Sequence, residues 1–202
     1  YGDREFRIAL SVAIDRNAIN RLVYNGLAEE IPYTYNPYSP YFSEDFGMGY
    51  SYYDPDEANA LLDELGLLDS DGDGIREFSN GDPVELLAIQ AIEQTDMIDT
   101  MELVKSMWED VGISLSMQAL KKAIAFPKLK QYDQHDVVMW NMGGATEPLL
   151  RGDRYAPVGS GGGKYWAGPA YEWYVSNGEN GIEPTGLIAR TLELYTAAVT
   201  GT

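Results

Sequence analysis

The chain has 202 residues, of which 45% are hydrophobic, so it can bury a core and is neither a miniprotein nor a disordered tail. Its 32 acidic residues outnumber the 14 basic ones, and the resulting net charge of −18 argues against nucleic acid or an anionic membrane surface as a partner. Because cysteine is absent, neither a disulfide nor a thiolate metal site can form.

The first part of the chain is predicted to be helical, then irregular, then helical again. Apolar residues recur every three to four positions from Asp3 to Gly26, which predicts two short helices or one bent helix. Proline, tyrosine, serine and glycine dominate residues 31–53 and predict an irregular loop that packs against another element. A helix should follow, with Asp54 as N-cap, Glu57 completing a capping box and Gly66 as its end.

The middle of the chain has the pattern of a βαβ unit. Alternation over Val84–Ile92 and Ile113–Leu120 predicts two strands, and the apolar stripe between them predicts a helix over 95–111. The short connections place the two strands in parallel, with the helix packed on the sheet. The apolar run in Asp136–Asn141 predicts a third strand. The side chains expected to pack the helix on the sheet are Met101, Val104 and Trp108.

Glycine and aromatic residues dominate residues 143–181, which predicts a second long loop. A last helix is predicted over 184–199, with Leu187, Thr191, Leu194 and Ala198 along one side. No repeat or linker divides the chain, so one α/β domain over residues 1–202 is expected. The chain opens at Tyr1 without a targeting segment, and we interpret it as an internal fragment or a processed piece.

One loop begins like a calcium-binding loop, because aspartates alternate ahead of Gly74. The twelfth position is Asn80 rather than a bidentate glutamate, so any affinity should be no better than about 10⁻⁴ M. The alternative is a turn whose aspartates bond their own backbone. The predicted ligands of a Ca²⁺ ion are Asp69, Asp71, Asp73, the carbonyl of Ile75, and Glu77.

Aromatic side chains crowd into both predicted loops and suit the binding of sugars or peptide side chains. The alternative is that the rings fix long loops onto the sheet. His135 is the only histidine and has no serine or cysteine nucleophile near it in sequence, while the carboxylate pairs are explained by helix capping. The chain is therefore predicted not to be an enzyme.

Short motifs spread over most of the chain occur in a specific order. They are Arg7–Leu10 with Ala13–Arg16, Tyr53–Ala58 with Leu61–Gly66, Asp71–Glu77, Trp108 with Val111–Ile113, Asp136 with Val137 and Trp140, and Trp173–Ser176 with Gly178 and Gly181. Each is weak alone. In this order they resemble the ligand-binding lobe of family 5 extracellular solute-binding proteins, the receptors for peptide, nickel and oligosaccharide ABC importers.

The resemblance implies a lobe like those of type II periplasmic-binding proteins, with a central sheet, flanking helices and long aromatic-rich loops. The other lobe of the receptor would be absent from this chain. A cleft between two lobes would close on a peptide or oligosaccharide outside the cytoplasmic membrane, and a membrane permease would receive the closed form. Such a periplasmic or extracellular receptor, with or without a lipid anchor, needs no cofactor beyond the calcium ion considered above.

The resemblance also places the solute just after the strand that ends at Trp140. In peptide receptors of the family an acidic residue shortly after that tryptophan pairs with the ligand's α-amino group. Here residues 141–144 contain no carboxylate, and Glu147 lies close enough in sequence to substitute for it. The fold supports the same place, because open α/β sheets bind ligands outside the carboxyl ends of their strands. The predicted solute contacts are Trp140, Asn141, Gly143, Gly144, Glu147, Trp166, Tyr171 and Trp173.

Two other functions stay open from the residues. The first is a calcium-stabilised extracellular module that binds glycan or protein without a role in transport. The second is a glycosidase that uses two of the many carboxylates.

Overall fold

The structure is a computed structural model that describes residues 2–30, 38–43, 48–131, 133–140, 152–159 and 162–201. Its helices are α1 Arg4–Val12, α2 Arg16–Val23, α3 Pro55–Glu64, α4 Thr95–Glu109, α5 Lys122–Leu129, α6 Gly162–Trp166, α7 Gly168–Val175 and α8 Gly186–Thr200. Its strands are β1 Glu85–Ala91 and β2 Ser114–Leu120, and a 3₁₀ turn covers Met48–Tyr50. None of the helices in these ranges is long and apolar enough to cross a membrane.

The chain divides into two compact units. The first contains Tyr1–Thr34, Ser43–Lys122 and Asp136–Asn141, and the second contains Tyr35–Phe42, Ala123–His135 and Met142–Thr202. Each unit is described by itself, and the expectation that residues 1–202 form one lobe stays a prediction.

The βαβ unit of the first compact unit is confirmed. Strands β1 and β2 are parallel and pair in register from Glu85 with Ser114 to Ala91 with Leu120, and α4 forms the crossover. Trp108 on α4 is 6% exposed and its Nε1–H donates to the carbonyl of Leu10 at 2.9 Å. Because this tryptophan joins α4 to the end of α1, it belongs to the core, as predicted. The other buried side chains of α4 are Met97, Thr100, Met101 and Val104.

The prediction of a third strand over Asp136–Asn141 is wrong for the described residues. The sheet has two strands, and Val137 adds a single parallel bridge to Ala88. Beyond the bridge, the amide of Met139 donates to the side chain of Gln90 at 3.2 Å. A side chain therefore takes the position of the next backbone partner, and the ladder ends.

The N-terminal segment forms two helices rather than one bent helix, because an aspartate caps each. Asp3 accepts from the amides of Glu5 and Phe6, and Asp15 accepts from the amide of Ala18. A cap at Asp15 starts a new helix one turn after the first has ended.

Helix α3 begins as predicted, with Asp54 accepting from the amide of Glu57 at 2.9 Å. The predicted capping box is only half formed. The Glu57 carboxylate accepts from the hydroxyl of Tyr52, while the amide of Asp54 donates to the carbonyl of Val12. Gly66 ends the helical segment with a φ of +74°, a conformation that favours glycine.

A buried arginine joins three separate parts of the first unit. The Nε–H of Arg76 donates to the carbonyl of Val111, Nη1 donates to the carbonyl of Leu67 and to the carboxylate of Asp63, and Nη2 donates to the amide oxygen of Asn59. The side chain of Arg76 is 11% exposed, so these acceptors replace water around the charge.

The backbone of Arg76 also forms hydrogen bonds to two other segments. The amide of Arg76 donates to the carbonyl of Gly112, and its carbonyl accepts from the amide of Val84, just before β1. Gly112 has a φ of +80°, and a Cβ there would lie 2.8 Å from the Cγ of Arg76. Glycine is therefore required at position 112 both by the backbone conformation and by the close approach of the arginine.

The second unit has a small core around α8. Leu192 is buried with Ala156 and Val158, and Tyr195 packs against this cluster. The side of α8 predicted from the sequence is the exposed one, because Leu187 and Leu194 are 85% and 53% exposed. The helix carries apolar residues on both sides, so its periodicity did not identify the buried side.

Trp108→Ala is expected to lower the free energy of unfolding by about 3–5 kcal/mol, because it opens a cavity between α4 and α1. Trp108→Phe should cost less than half of this, since most of the ring volume is kept and the losses are the hydrogen bond to Leu10 and a part of the buried ring. Chemical denaturation measures both values. A loss below about 1 kcal/mol for the alanine variant would contradict the burial of Trp108.

Arg76→Met is expected to lower the free energy of unfolding by about 2–4 kcal/mol, because buried carbonyls at Val111 and Leu67 lose their donor. The matched control is Arg190→Met, which removes an exposed arginine paired with Glu193 and should cost at most about 1 kcal/mol. Equal losses for the two variants in urea denaturation would show that the Arg76 contacts do not stabilise the fold.

Candidate functional site

The carboxyl ends of β1 and β2 form one edge of the sheet, at Ala91 and Leu120. The segment that bridges β1 at Val137 runs parallel to it and so brings Trp140 towards this edge. Trp140 is partly buried there. The first compact unit therefore places one predicted solute contact where parallel sheets bind ligands.

Two polar side chains, those of Glu93 and Gln90, lie near this edge, and a third, that of Asp136, holds the Trp140 segment to β1 further from the edge. Asp136 accepts from the amide of Leu87 at 2.8 Å, and Glu93 accepts from the amide of Lys122 at the start of α5 at 3.1 and 3.2 Å through its two oxygens. Gln90, which is fully buried, accepts from the amide of Met139 and donates to Gln94 Oε1 at 3.2 Å. The edge is thus fixed by hydrogen bonds rather than by apolar packing alone.

Gln90 is the residue of this site that the sequence analysis missed. Its neighbours on the same face of β1, Leu86 and Ala88, are apolar and buried. One amide side chain on an otherwise apolar strand face was the available signal, because a buried amide needs partners from outside its own strand.

Four of the predicted solute contacts lie outside the described residues. They are Asn141, Gly143, Gly144 and Glu147. Their role stays a prediction.

The remaining three predicted contacts belong to the second unit and lie on helices, not in the long loop expected from the sequence. Trp166 ends α6 and is 48% exposed, while its Nε1–H donates to the carbonyl of Asp153 at 3.1 Å. Tyr171 and Trp173 are partly buried on α7. Glycines at the starts of α6 and α7 gave the segment the composition of a loop.

A charged pair lies beside these aromatic residues. Lys164 forms an ion pair with Glu172 and stands 5.7 Å from the centre of the Tyr171 ring. The hydrogen bond to Glu172 raises the pKa of Lys164. Trp140 belongs to the other unit, so the expectation that all four aromatic residues face one solute stays a prediction.

The described tyrosines of the first predicted loop are largely exposed. Tyr38 is 93% exposed and Tyr53 is 51% exposed. Tyr50 is held against α1, where its hydroxyl accepts from Arg4 at 2.6 Å and its carbonyl accepts from Ser11 at 2.7 Å. Hydrogen bonds from α1 therefore hold the end of this loop.

A cavity of about 390 Å³ lies in the first unit and is a second feature that the sequence did not indicate. It is bounded by α2, residues 28–30, α4 and residues 137–139, which lead to Trp140. Arg16 also lines it, and burial lowers the pKa of this arginine while the Glu30 carboxylate acts in the opposite direction. Its main apolar lining residues are Ile19, Tyr24, Met101, Val104, Trp108 and Met139.

The aspartate loop has features of both alternatives, a cation-binding loop and a turn whose aspartates bond their own backbone. One carboxylate oxygen from each of Asp69, Asp71, Asp73 and Glu77 lies within 4.8 Å of the others. The same side chains accept hydrogen bonds from amides of the loop, such as Gly72 to Asp69 at 2.7 Å. Ile75, the fifth predicted ligand, donates its amide to Asp73 at 2.7 Å. Four of the five predicted ligands therefore converge in a loop that is already ordered by its own hydrogen bonds.

Comparisons with known proteins agree on one family. The model of the bacterial extracellular solute-binding proteins, family 5 Middle, matches residues 1–151. The structure of an oligopeptide-binding protein OppA is 29% identical, with a TM-score of 0.85 over 97% of this chain and 32% of that chain. No curated protein matches the chain.

Two further solved structures share the fold. AppA from Bacillus subtilis, an oligopeptide-binding protein in complex with a nonapeptide, is 19% identical, with a TM-score of 0.70 over 96% of this chain and 38% of that chain. A periplasmic oligopeptide-binding protein from Thermotoga maritima with bound mannohexaose is 24% identical, with a TM-score of 0.69 over 83% of this chain and 34% of that chain. The chain spans about a third of the length of these structures.

Calcium is expected to stabilise the chain only at concentrations of about 10⁻⁴–10⁻³ M or above, because the loop lacks the bidentate twelfth ligand and its carboxylates already accept loop amides. Calorimetric titration with Ca²⁺ measures the affinity, and Asp71→Asn with Asp73→Asn is the control that should abolish any heat. Submicromolar binding would contradict the prediction.

Proposed function

The chain belongs to family 5 of the bacterial extracellular solute-binding proteins, and from this membership we propose that it is the ligand-binding lobe of a receptor that delivers a solute to an ABC permease. Receptors of this family are periplasmic or extracellular components of ABC importers. We propose the same location for the whole receptor, with or without a lipid anchor, and a function that breaks no bond in the solute.

The observation that carries the proposal is the place of Trp140 in a chain of this family. The tryptophan is partly buried and follows by three residues the parallel bridge of Val137 to β1, in the direction of the carboxyl edge of the βαβ sheet. An aromatic ring in that position offers a rigid apolar face, which binds well because few rotatable bonds must be fixed.

The proposed solute is a peptide or an oligosaccharide. The similar structures with a nonapeptide and with mannohexaose support these two classes. Both solutes present apolar faces between hydrogen-bonding groups, and aromatic rings can stack against such faces. The proposed contacts are Trp140, Asn141, Gly143, Gly144, Glu147, Trp166, Tyr171 and Trp173.

The proposed mechanism is closure of two lobes around the solute. In the closed form the solute contacts both lobes at once, and water is removed from the aromatic faces. Bound solute therefore shifts the population towards the closed form. The permease then recognises this closed form.

In the full-length receptor, Trp140→Ala is expected to weaken solute binding by about 1–4 kcal/mol and to leave the fold intact, because it removes an aromatic anchor at the sheet edge. Trp108→Ala is the matched control. It removes a buried tryptophan of the same unit and should lower stability while the folded fraction keeps its affinity.

Isothermal titration with mannohexaose and with a nonapeptide, alongside thermal melting, measures both properties. Unchanged affinity of Trp140→Ala together with a large loss of stability would show that Trp140 is a core residue and not a solute contact.

A further inference from the structure

One of the hydrogen bonds that hold the Trp140 segment to the sheet is unusual. At the bridge, the amide of Val137 donates to the carbonyl of Leu87, and the amide of Ile89 donates to the carbonyl of Val137. Continuation of a parallel ladder would join the amide of Met139 to the backbone of β1. Instead, this amide donates to Oε1 of Gln90 at 3.2 Å.

Both ends of the Gln90 amide are used. Its Nε2 donates to Oε1 of Gln94 at 3.2 Å and lies 3.6 Å from the sulfur of Met97, so the start of α4 holds the side chain from behind. Gln90 is fully buried, and water cannot replace any of these partners without opening the sheet. The position of Oε1, and hence of the Met139 amide, is therefore set by the scaffold.

We infer that Gln90 is a positioning residue for solute binding, which acts by fixing the backbone of Met139 and thereby the direction of Trp140 at the sheet edge. The inference rests on the proposed function, because it assigns the consequence of this hydrogen bond to solute affinity. Gln90 itself is buried and touches no solute.

The chemistry explains why an amide suits this position. The backbone amide of Met139 needs an acceptor, which the Oε1 of Gln90 provides. Because the glutamine side chain is flexible, its Nε2 must donate to another group to hold Oε1 in place, and it donates to Gln94. Glutamine supplies both an acceptor and a donor in a neutral group. Glutamate would bury a charge, and methionine would leave the Met139 amide without this acceptor.

Gln90→Met in the full-length receptor tests the inference, because it keeps the length of the side chain and removes its hydrogen bonds. The matched control is Gln118→Met, the same change at an exposed position of β2 that pairs with Ile89. Two quantities are measured: hydrogen exchange of the Met139 amide in ¹⁵N-methionine-labelled protein without solute, and affinity for mannohexaose and for a nonapeptide, corrected for the folded fraction.

Gln90→Met should speed exchange at Met139 and weaken the affinity of the solute that binds the native receptor by about three- to tenfold, the factor for one neutral hydrogen bond. Gln118→Met should change neither. Unchanged exchange, or faster exchange with unchanged affinity of the folded fraction, would overturn the inference while the proposed function stands. Failure of the native receptor to bind either solute would overturn the proposed function first, and the inference with it.

Discussion

A buried guanidinium must donate its hydrogen bonds to protein acceptors, because water cannot reach it. In the first unit this guanidinium is that of Arg76, and three segments of the unit provide its acceptors. Its acceptors come from α3, from the turn after α3 and from the connection between α4 and β2. The backbone of the same residue accepts the amide of Val84 and so fixes the start of β1. Arg76 therefore ties the start of β1 and the residues just before β2 to α3, through its backbone and its side chain together.

The sequence predicted those elements whose information is local. The βαβ unit follows from periodicity, and the cap at Asp54 follows from a side chain that bonds its own neighbours, whereas the similar caps at Asp3 and Asp15 were not predicted. The early end of the predicted third strand could not be foreseen in this way, because its pairing stops where the Gln90 side chain accepts a hydrogen bond from a backbone amide. That hydrogen bond joins residues far apart in sequence, as do the contacts of Arg76.

The candidate site was predictable to a similar extent. Trp140 was expected at the carboxyl edge because it ends the predicted third strand and because the family resemblance places the solute there. The single parallel bridge at Val137 directs the segment towards that edge, although the full strand is not formed, and the role of Trp140 in solute binding stays a prediction. The helical state of Trp166 and Trp173 was missed, since glycine was taken as a sign of a loop although it occurs at the starts of both helices. Gln90 was missed because its role depends on its hydrogen bonds to Met139 and Gln94, and the pairing with Met139 joins residues far apart in sequence.

The attachment of the Trp140 segment by one bridge and by side chains has an evolutionary consequence. A full backbone ladder is held by main-chain groups that every residue except proline carries, so most substitutions leave its direction unchanged. A segment held at positions 90 and 136 can be redirected by substitutions at those two places while the β1–β2 pair is kept. Receptors of one fold can then diverge in solute preference through residues that lie beneath the binding surface.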